Sequence, residues 1–113
     1  MAESCLFCRI ASGELAVPFV AETEHCVAFR DINPQAPLHV LVIPRAHVAS
    51  LNDADDAAQL GRLSLLAAEI ARREGVAESG YRTVVNTGPD AGQTVFHVHL
   101  HLLGGREMGW PPG

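Results

Sequence analysis

Apolar and polar positions recur along this chain with two periods, and the periods divide it into strands and helix. Alternation of period two, or a short β-branched run, marks five segments: Val17–Glu22, Cys26–Arg30, His39–Ile43, Tyr81–Asn86 and Phe96–Leu103. Glu24 and His25 predict a tight turn between the first two, although neither is a favoured turn residue. Pro34 and Pro37 fix the following segment, Asp31–Pro37, as a loop. His39–Ile43 is the most strongly β-prone run and predicts a central strand that Pro44 closes. The helical period appears once at length: Leu60, Leu63, Ala67, Ile70 and Ala71 form one apolar stripe. Asn52 and Asp53 are its N-cap candidates, with Asp55 and Asp56 in the first turn, Arg72 and Arg73 in the last, and Gly75 as C-cap. Cys5–Ile10 predicts one or two further helical turns, ended by Ser12 and Gly13. Gly104 and Gly105 end the last strand, and Trp110–Gly113 is a short irregular tail. Five strands, one long helix and early hairpin order predict a single antiparallel α+β domain over residues 1–113.

The composition agrees with a globular domain: 113 residues, 48% of them hydrophobic. A net charge of −5 and no basic patch argue against nucleic acid or an anionic membrane as the main partner. No apolar run reaches the length of a membrane-spanning helix, and the N-terminus has no signal-peptide pattern, so the expected location is cytoplasmic. Three cysteines argue against a disulfide framework. The lone tryptophan, Trp110, sits on a tail too short to bury it easily, so it packs on the core or reaches a second subunit. The fourth strand has the same ambiguity and could pair with its own copy at a sheet edge.

The stretch richest in chemistry is His97-Val98-His99-Leu100-His101-Leu102-Leu103. Strand alternation puts His97, His99 and His101 on one face, roughly 7 Å apart. Three imidazoles suit work on one anion or one metal better than they suit a solvated face, and imidazole titrates near neutrality. The Thr87–Thr94 loop leads into them and carries Gly88 and Gly92, whose exposed backbone N–H groups favour phosphate oxygens. Gln93 and Thr94 add an amide and a hydroxyl, and Asn86 stands at the other end of the loop. Histidine is a competent nucleophile toward phosphorus. His99, flanked by the other two, is the best-placed attacker, with His101 as a donor to a phosphate oxygen.

Cys5-x-x-Cys8 fits a redox pair, two core cysteines or half of a tetrahedral zinc site. His25, His39, His47 and His97 are the available histidine ligands; Cys5, Cys8, His47 and His97 together would form a closed, structural Cys2His2 site. Cys26 reads as core, His25 as a solvated turn residue and His39 as a strand residue without a catalytic role. Asp31, at a strand end before a rigid loop, fits either a ribose diol or a turn cap.

The triad resembles the signature of the histidine triad superfamily and most closely its Hint branch, the histidine triad nucleotide-binding proteins. Phe29–Pro37, His39–Arg45, Gly80–Arg82, Val84–Asn86, Gly92-Gln93, Gly104–Arg106 and Trp110–Gly113 match in family order. The resemblance implies a HIT-like fold whose five-stranded sheet continues across a homodimer. It implies hydrolysis of a purine nucleoside 5′-phosphoramidate to a nucleoside monophosphate such as AMP and an amine, with His99 carrying the nucleotidyl intermediate. His101, Gln93 and Thr94 would contact the α-phosphate, Asn86 and Gly92 would line the pocket, Asp31 would bind the ribose and Ile32 would pack near the base. His47 and His97 would stand behind the nucleophile and, with Cys5 and Cys8, would bind zinc as some relatives do. Trp110 would approach the neighbouring subunit's site. Thr94 departs from the branch's usual serine; it keeps the hydroxyl but stiffens the rotamer. Gly109 stands where some relatives carry histidine. The rival readings are a dinucleoside polyphosphate hydrolase, a nucleotidylyl transferase, a nucleotide-binding regulatory protein and a small zinc-dependent interaction module.

Overall fold

Five strands pair antiparallel in this computed structural model, which describes residues 4–113. They are β1 (Ala21–Glu22), β2 (Cys26–Arg30), β3 (Leu38–Pro44), β4 (Tyr81–Val84) and β5 (Leu100–Gly104). The order across the sheet is β1-β2-β3-β5-β4. A short helix, α1 (Leu6–Ala11), and a long one, α2 (Ala57–Arg73), pack on opposite faces.

Strand alternation explains the two layers. Cys26 and Ala28 of β2, Leu38, Val40 and Val42 of β3, and Leu100 and Leu102 of β5 face α2, where Leu63, Leu66, Ala67, Ile70 and Ala71 meet them. The alternate residues Val27, Phe29, Leu41 and Ile43 face α1 and pack on Phe7, Ile10 and Ala11. The central strand β3 is buried along its whole length, as its β-branched run predicts. The helical stripe is as read from the sequence, with Leu66 added to it and Leu60 only partly buried.

Several boundaries differ from the sequence reading. Only Ala21 and Glu22 of Val17–Glu22 join the ladder; Pro18 has no N–H to give it, and Val17 and Phe19 pack instead on the α1-side cluster. Asn52 and Asp53 do not cap α2. They lie in a separate 3-10 turn, Leu51–Asp53, where the Ser50 side chain accepts the Asn52 N–H. The N-cap is Asp56, whose carboxylate accepts the Ala58 N–H at 3.0 Å. At the other end Gly75 follows the cap residue Glu74 with φ +78°, a conformation that glycine adopts without strain. β4 ends at Val84, two residues early, and Gly104 lies inside β5.

The most informative difference is at the start of the last strand. His97, Val98 and His99 precede the ladder, which begins at Leu100. Their backbone groups are used elsewhere: Val98 N–H donates to the Val48 carbonyl at 2.6 Å, and the His97 carbonyl accepts the His99 side chain at 2.8 Å.

Ile70 is fully buried at the centre of the α2 face. Truncating it with Ile70→Ala is expected to lower unfolding stability by about 2–5 kcal/mol through lost burial and a residual cavity. Urea denaturation followed by circular dichroism checks this, and a loss well under about 1 kcal/mol would contradict the packing described.

Candidate active site and metal centre

The pairing of β3 with β5 assembles the histidines. His101 lies opposite Leu41, so it shares the α1-side face. His39 is two residues before Leu41 on the same strand and therefore shares that face, diagonal to His101. Its Nε2 lies 2.9 Å from His101 Nδ1. The His99 and His101 rings are 5.0 Å apart. Phe7 on α1 meets His99 edge-on at 5.1 Å and His97 at 6.1 Å. All three triad residues thus stand on the α1 side, as the alternation predicts.

Hydrogen-bond partners assign the tautomers. The His97 carbonyl only accepts, so His99 carries its proton on Nδ1 and leaves the Nε2 lone pair free. His39 Nδ1 accepts the Gln35 N–H at 3.0 Å, so its proton is on Nε2. That proton goes to His101 Nδ1, with the Asp31 carboxylate 3.4 Å from His39 Nε2. His101 then carries its own proton on Nε2. Burial, and after it the neighbouring His99 and His39, push His101 down to about 4. Burial also lowers His39, against the opposing pull of Asp31. These imidazoles are neutral at pH 7. Asp31, His39 and His101 bring three donor atoms together, yet a 2.9 Å separation of two ring nitrogens is that of a shared proton.

These groups end in a cleft of about 270 Å³. His99, His101, Thr94 and Val95 line it together with Phe29, Asp31 and Ile32, and Asp31 stands on the His101 side, its carboxylate within 4.8 Å of a His101 ring nitrogen. Ile32 is fully exposed. Asp31 caps a turn, one of the two roles weighed from the sequence: Oδ1 accepts the Asn33 N–H at 2.8 Å, and the residue also borders the cleft. Gln93 is buried and its amide is occupied. Nε2 donates to the Ala49 and Val95 carbonyls, and Oε1 accepts the Gly88 N–H. It braces the loop rather than presenting its amide to the cleft. Gly92, at φ +83°, turns that loop. Asn86 and Gly92 stand on the loop behind Thr94, outside the cleft walls among the described residues. Trp110 is exposed and stands over its own Arg82, whose guanidinium donates to the Gly109 carbonyl.

Behind the cleft lies a second cluster. Cys5 and Cys8 Sγ and His47 and His97 Nδ1 all fall within 4.8 Å of one another. His97 Nδ1 is 3.4 Å from each sulfur, and His47 Nδ1 is 3.3 Å from Cys8. His97 Nε2–H donates to the Pro44 carbonyl at 2.8 Å, which leaves Nδ1 free for a cation. Burial, then Cys5, pushes the Cys8 thiol up to about 11, a penalty that a divalent cation would reverse. Two thiols and two imidazoles with their lone pairs converging form a closed donor set that fits a metal ion. Cys26 is buried in the α2-side core, as read, and His25 is exposed beside Glu24. His39 is the residue that sequence reasoning missed. The signal was present: it alternates with Leu38 and Val40, in phase with Leu41 on the face that carries the triad. Phe7 was missed too, because the apolar Cys5–Ile10 segment gave no sign of which side of the sheet it covers.

The family model of the HIT domain matches residues 12–108, and the chain belongs to that family. It is 51% identical to an uncharacterized HIT-like protein of Synechococcus elongatus, over the full length of both. It is 46% identical to the purine nucleoside phosphoramidase of Escherichia coli K12, over 96% of this chain and 93% of that one. Its structure matches a HIT family hydrolase from Legionella pneumophila with a TM-score of 0.95 and 50% identity, covering 97% of this chain and all of the other. A zinc-bound histidine triad family protein from Mycobacterium smegmatis matches with a TM-score of 0.84 and 32% identity, over the whole of this chain and 82% of that one.

A histidine held neutral in the fold makes stability depend on pH. His101 titrates near 4 when folded against a usual 6.5, so between those values the unfolded chain binds more protons. The stability it contributes is complete above about pH 6.5 and is lost as pH falls toward 4. Denaturant midpoints measured from pH 7 to pH 4 are expected to decline, and less steeply in His101→Gln. The same decline in both proteins would contradict the assignment.

Proposed function

We propose that this single-domain chain is a purine nucleoside phosphoramidase, hydrolysing nucleoside 5′-phosphoramidates to the nucleoside monophosphate and an amine. The observation that carries the reading is the pair of opposite tautomers in one cleft: His99 with a free Nε2 lone pair, and neighbouring His101 with a proton on Nε2. One is a nucleophile and the other a donor to a phosphoryl oxygen.

The reaction has two steps. His99 Nε2 attacks the α-phosphorus; the P–N bond breaks, and the nitrogen takes up a proton and leaves as the amine. Water then attacks the nucleotidyl-histidine, releasing the monophosphate and restoring the imidazole. His101 Nε2–H and the Thr94 hydroxyl serve the phosphoryl oxygens. Gly92 and Gln93 hold the loop that carries Thr94, and Asn86 anchors its other end. Asp31 takes the ribose diol, and Ile32 and Phe29 take the base. His39 holds the His101 tautomer. His97 and His47 stand behind the nucleophile.

The Escherichia coli phosphoramidase supports this substrate class. So does a trough of about 480 Å³ that adjoins the cleft across Leu6, Thr94 and Val95. No Lys, Arg, Asp or Glu lines it among the described residues, so it suits a neutral amine substituent better than a second polyphosphate arm, which calls for cations. The metal of the Cys5, Cys8, His47 and His97 set is zinc in this reading, and its role is structural. The working unit is a homodimer. β4 lies at the sheet edge with Tyr81 and Thr83 exposed, and exposed Trp110 is free to meet a partner. The setting is cytoplasmic; all three cysteines are free, and no described helix is long and apolar enough to cross a membrane.

His99→Ala is expected to abolish turnover of adenosine 5′-phosphoramidate, a loss of at least about a thousandfold, while still binding AMP by calorimetry. Equal turnover in the two proteins would sink the nucleophile assignment, and AMP binding without turnover in either would favour a regulatory binding protein. For the metal, native mass spectrometry is expected to find one zinc per chain in the wild type and none in Cys8→Ser; a metal-free wild type purified without chelator would contradict the site.

A further inference from the structure

The two cysteines of the metal set bracket a wall of the cleft. Between them stand Leu6 and Phe7, and both line it. Phe7 is buried and meets the His99 ring edge-on at 5.1 Å. From the other side, His97 offers Nδ1 to the metal set, while its main-chain carbonyl holds His99 Nδ1–H at 2.8 Å. Its Nε2–H is fixed on the Pro44 carbonyl. The imidazole of His99 is therefore gripped from two directions, and each grip belongs to a metal ligand or to a residue adjoining one. The contacts within the set are S···N approaches of 3.3–3.4 Å and the edge-on His47 and His97 rings at 5.1 Å, all weaker than a metal–ligand bond. α1 has six residues, too few to keep its place without tertiary anchors.

We propose that a metal ion on Cys5, Cys8, His47 and His97 fixes the orientation and tautomer of His99, through Phe7 and through the His97 carbonyl. Metal loading then governs turnover as well as folding stability. Phe7 is a positioning residue in this scheme. The kinetic part rests on the reading of His99 as nucleophile; the spectroscopic part does not.

The test compares zinc-loaded wild type, chelator-treated wild type and zinc-loaded Phe7→Ala. Three quantities are read: the ring nitrogen shifts of His99 by NMR, the amide spectrum of β3 and α2, and kcat and KM for adenosine 5′-phosphoramidate. The loaded protein is expected to hold His99 as the Nδ1–H tautomer alone. The metal-free protein keeps its sheet amides but shows a mixture of tautomers, and its kcat falls by about tenfold with KM within about twofold, both restored by added zinc. An unchanged tautomer and an unchanged kcat after chelation would overturn the proposal. Should chelation unfold the sheet, Phe7→Ala decides: zinc retained, His99 ring signals broadened and kcat lowered support it, whereas wild-type signals and kcat overturn it. If the loaded wild type turns over no phosphoramidate, the functional reading fails, and the tautomer comparison still decides this proposal.

Discussion

The hydrogen bond from His99 Nδ1–H to the His97 carbonyl is the constraint on which the site depends. It uses the backbone carbonyl of a residue that stands just ahead of the ladder, which begins at Leu100. It also settles which nitrogen of His99 is free. A carbonyl has no proton to give, so the lone pair must be on Nε2. A single bond of 2.8 Å thus links an irregularity of the fold to the chemistry that the fold permits.

The same logic runs through three other histidines, His97, His39 and His101. Each is polarised by one fixed partner: Pro44 for His97, Gln35 for His39, and His39 in turn for His101. Burial keeps His97, His39 and His101 neutral, which removes mutual repulsion and preserves their directionality. Backbone geometry therefore gives each of these imidazoles one defined proton and one defined lone pair. The sheet supplies that geometry: β3, buried along its whole length, pairs with β5 so that Leu41 lies opposite His101 and His39 stands alongside.

Much of this was legible in the sequence. Period-two alternation gave the strands and the common face of the triad, and the apolar stripe gave α2. What alternation does not reveal is where a backbone group is diverted to a side chain, so the ladder was expected to begin at Phe96. Asp56 was hidden as N-cap because Asn52 and Asp53 have the same chemistry and sit just upstream, in a turn of their own. His39 escaped because a lone histidine in a strand is usually packing, and its role appears only when β3 is set beside β5. Gln93 was expected to offer its amide to a ligand, but burial turned that amide to three backbone partners. In each case the residue type was informative, and the missing fact was a long-range neighbour.

The most direct test of the central claim is to trap the covalent intermediate. The enzyme is mixed with adenosine 5′-phosphoramidate, quenched within the first turnovers, digested under conditions that preserve phosphorus–nitrogen bonds, and read by mass spectrometry. An adenylyl group on the peptide bearing His99, assigned to that residue by fragmentation, is the result this account requires. Turnover with the adduct on another residue, or with no adduct under conditions that slow hydrolysis of the intermediate, would contradict it.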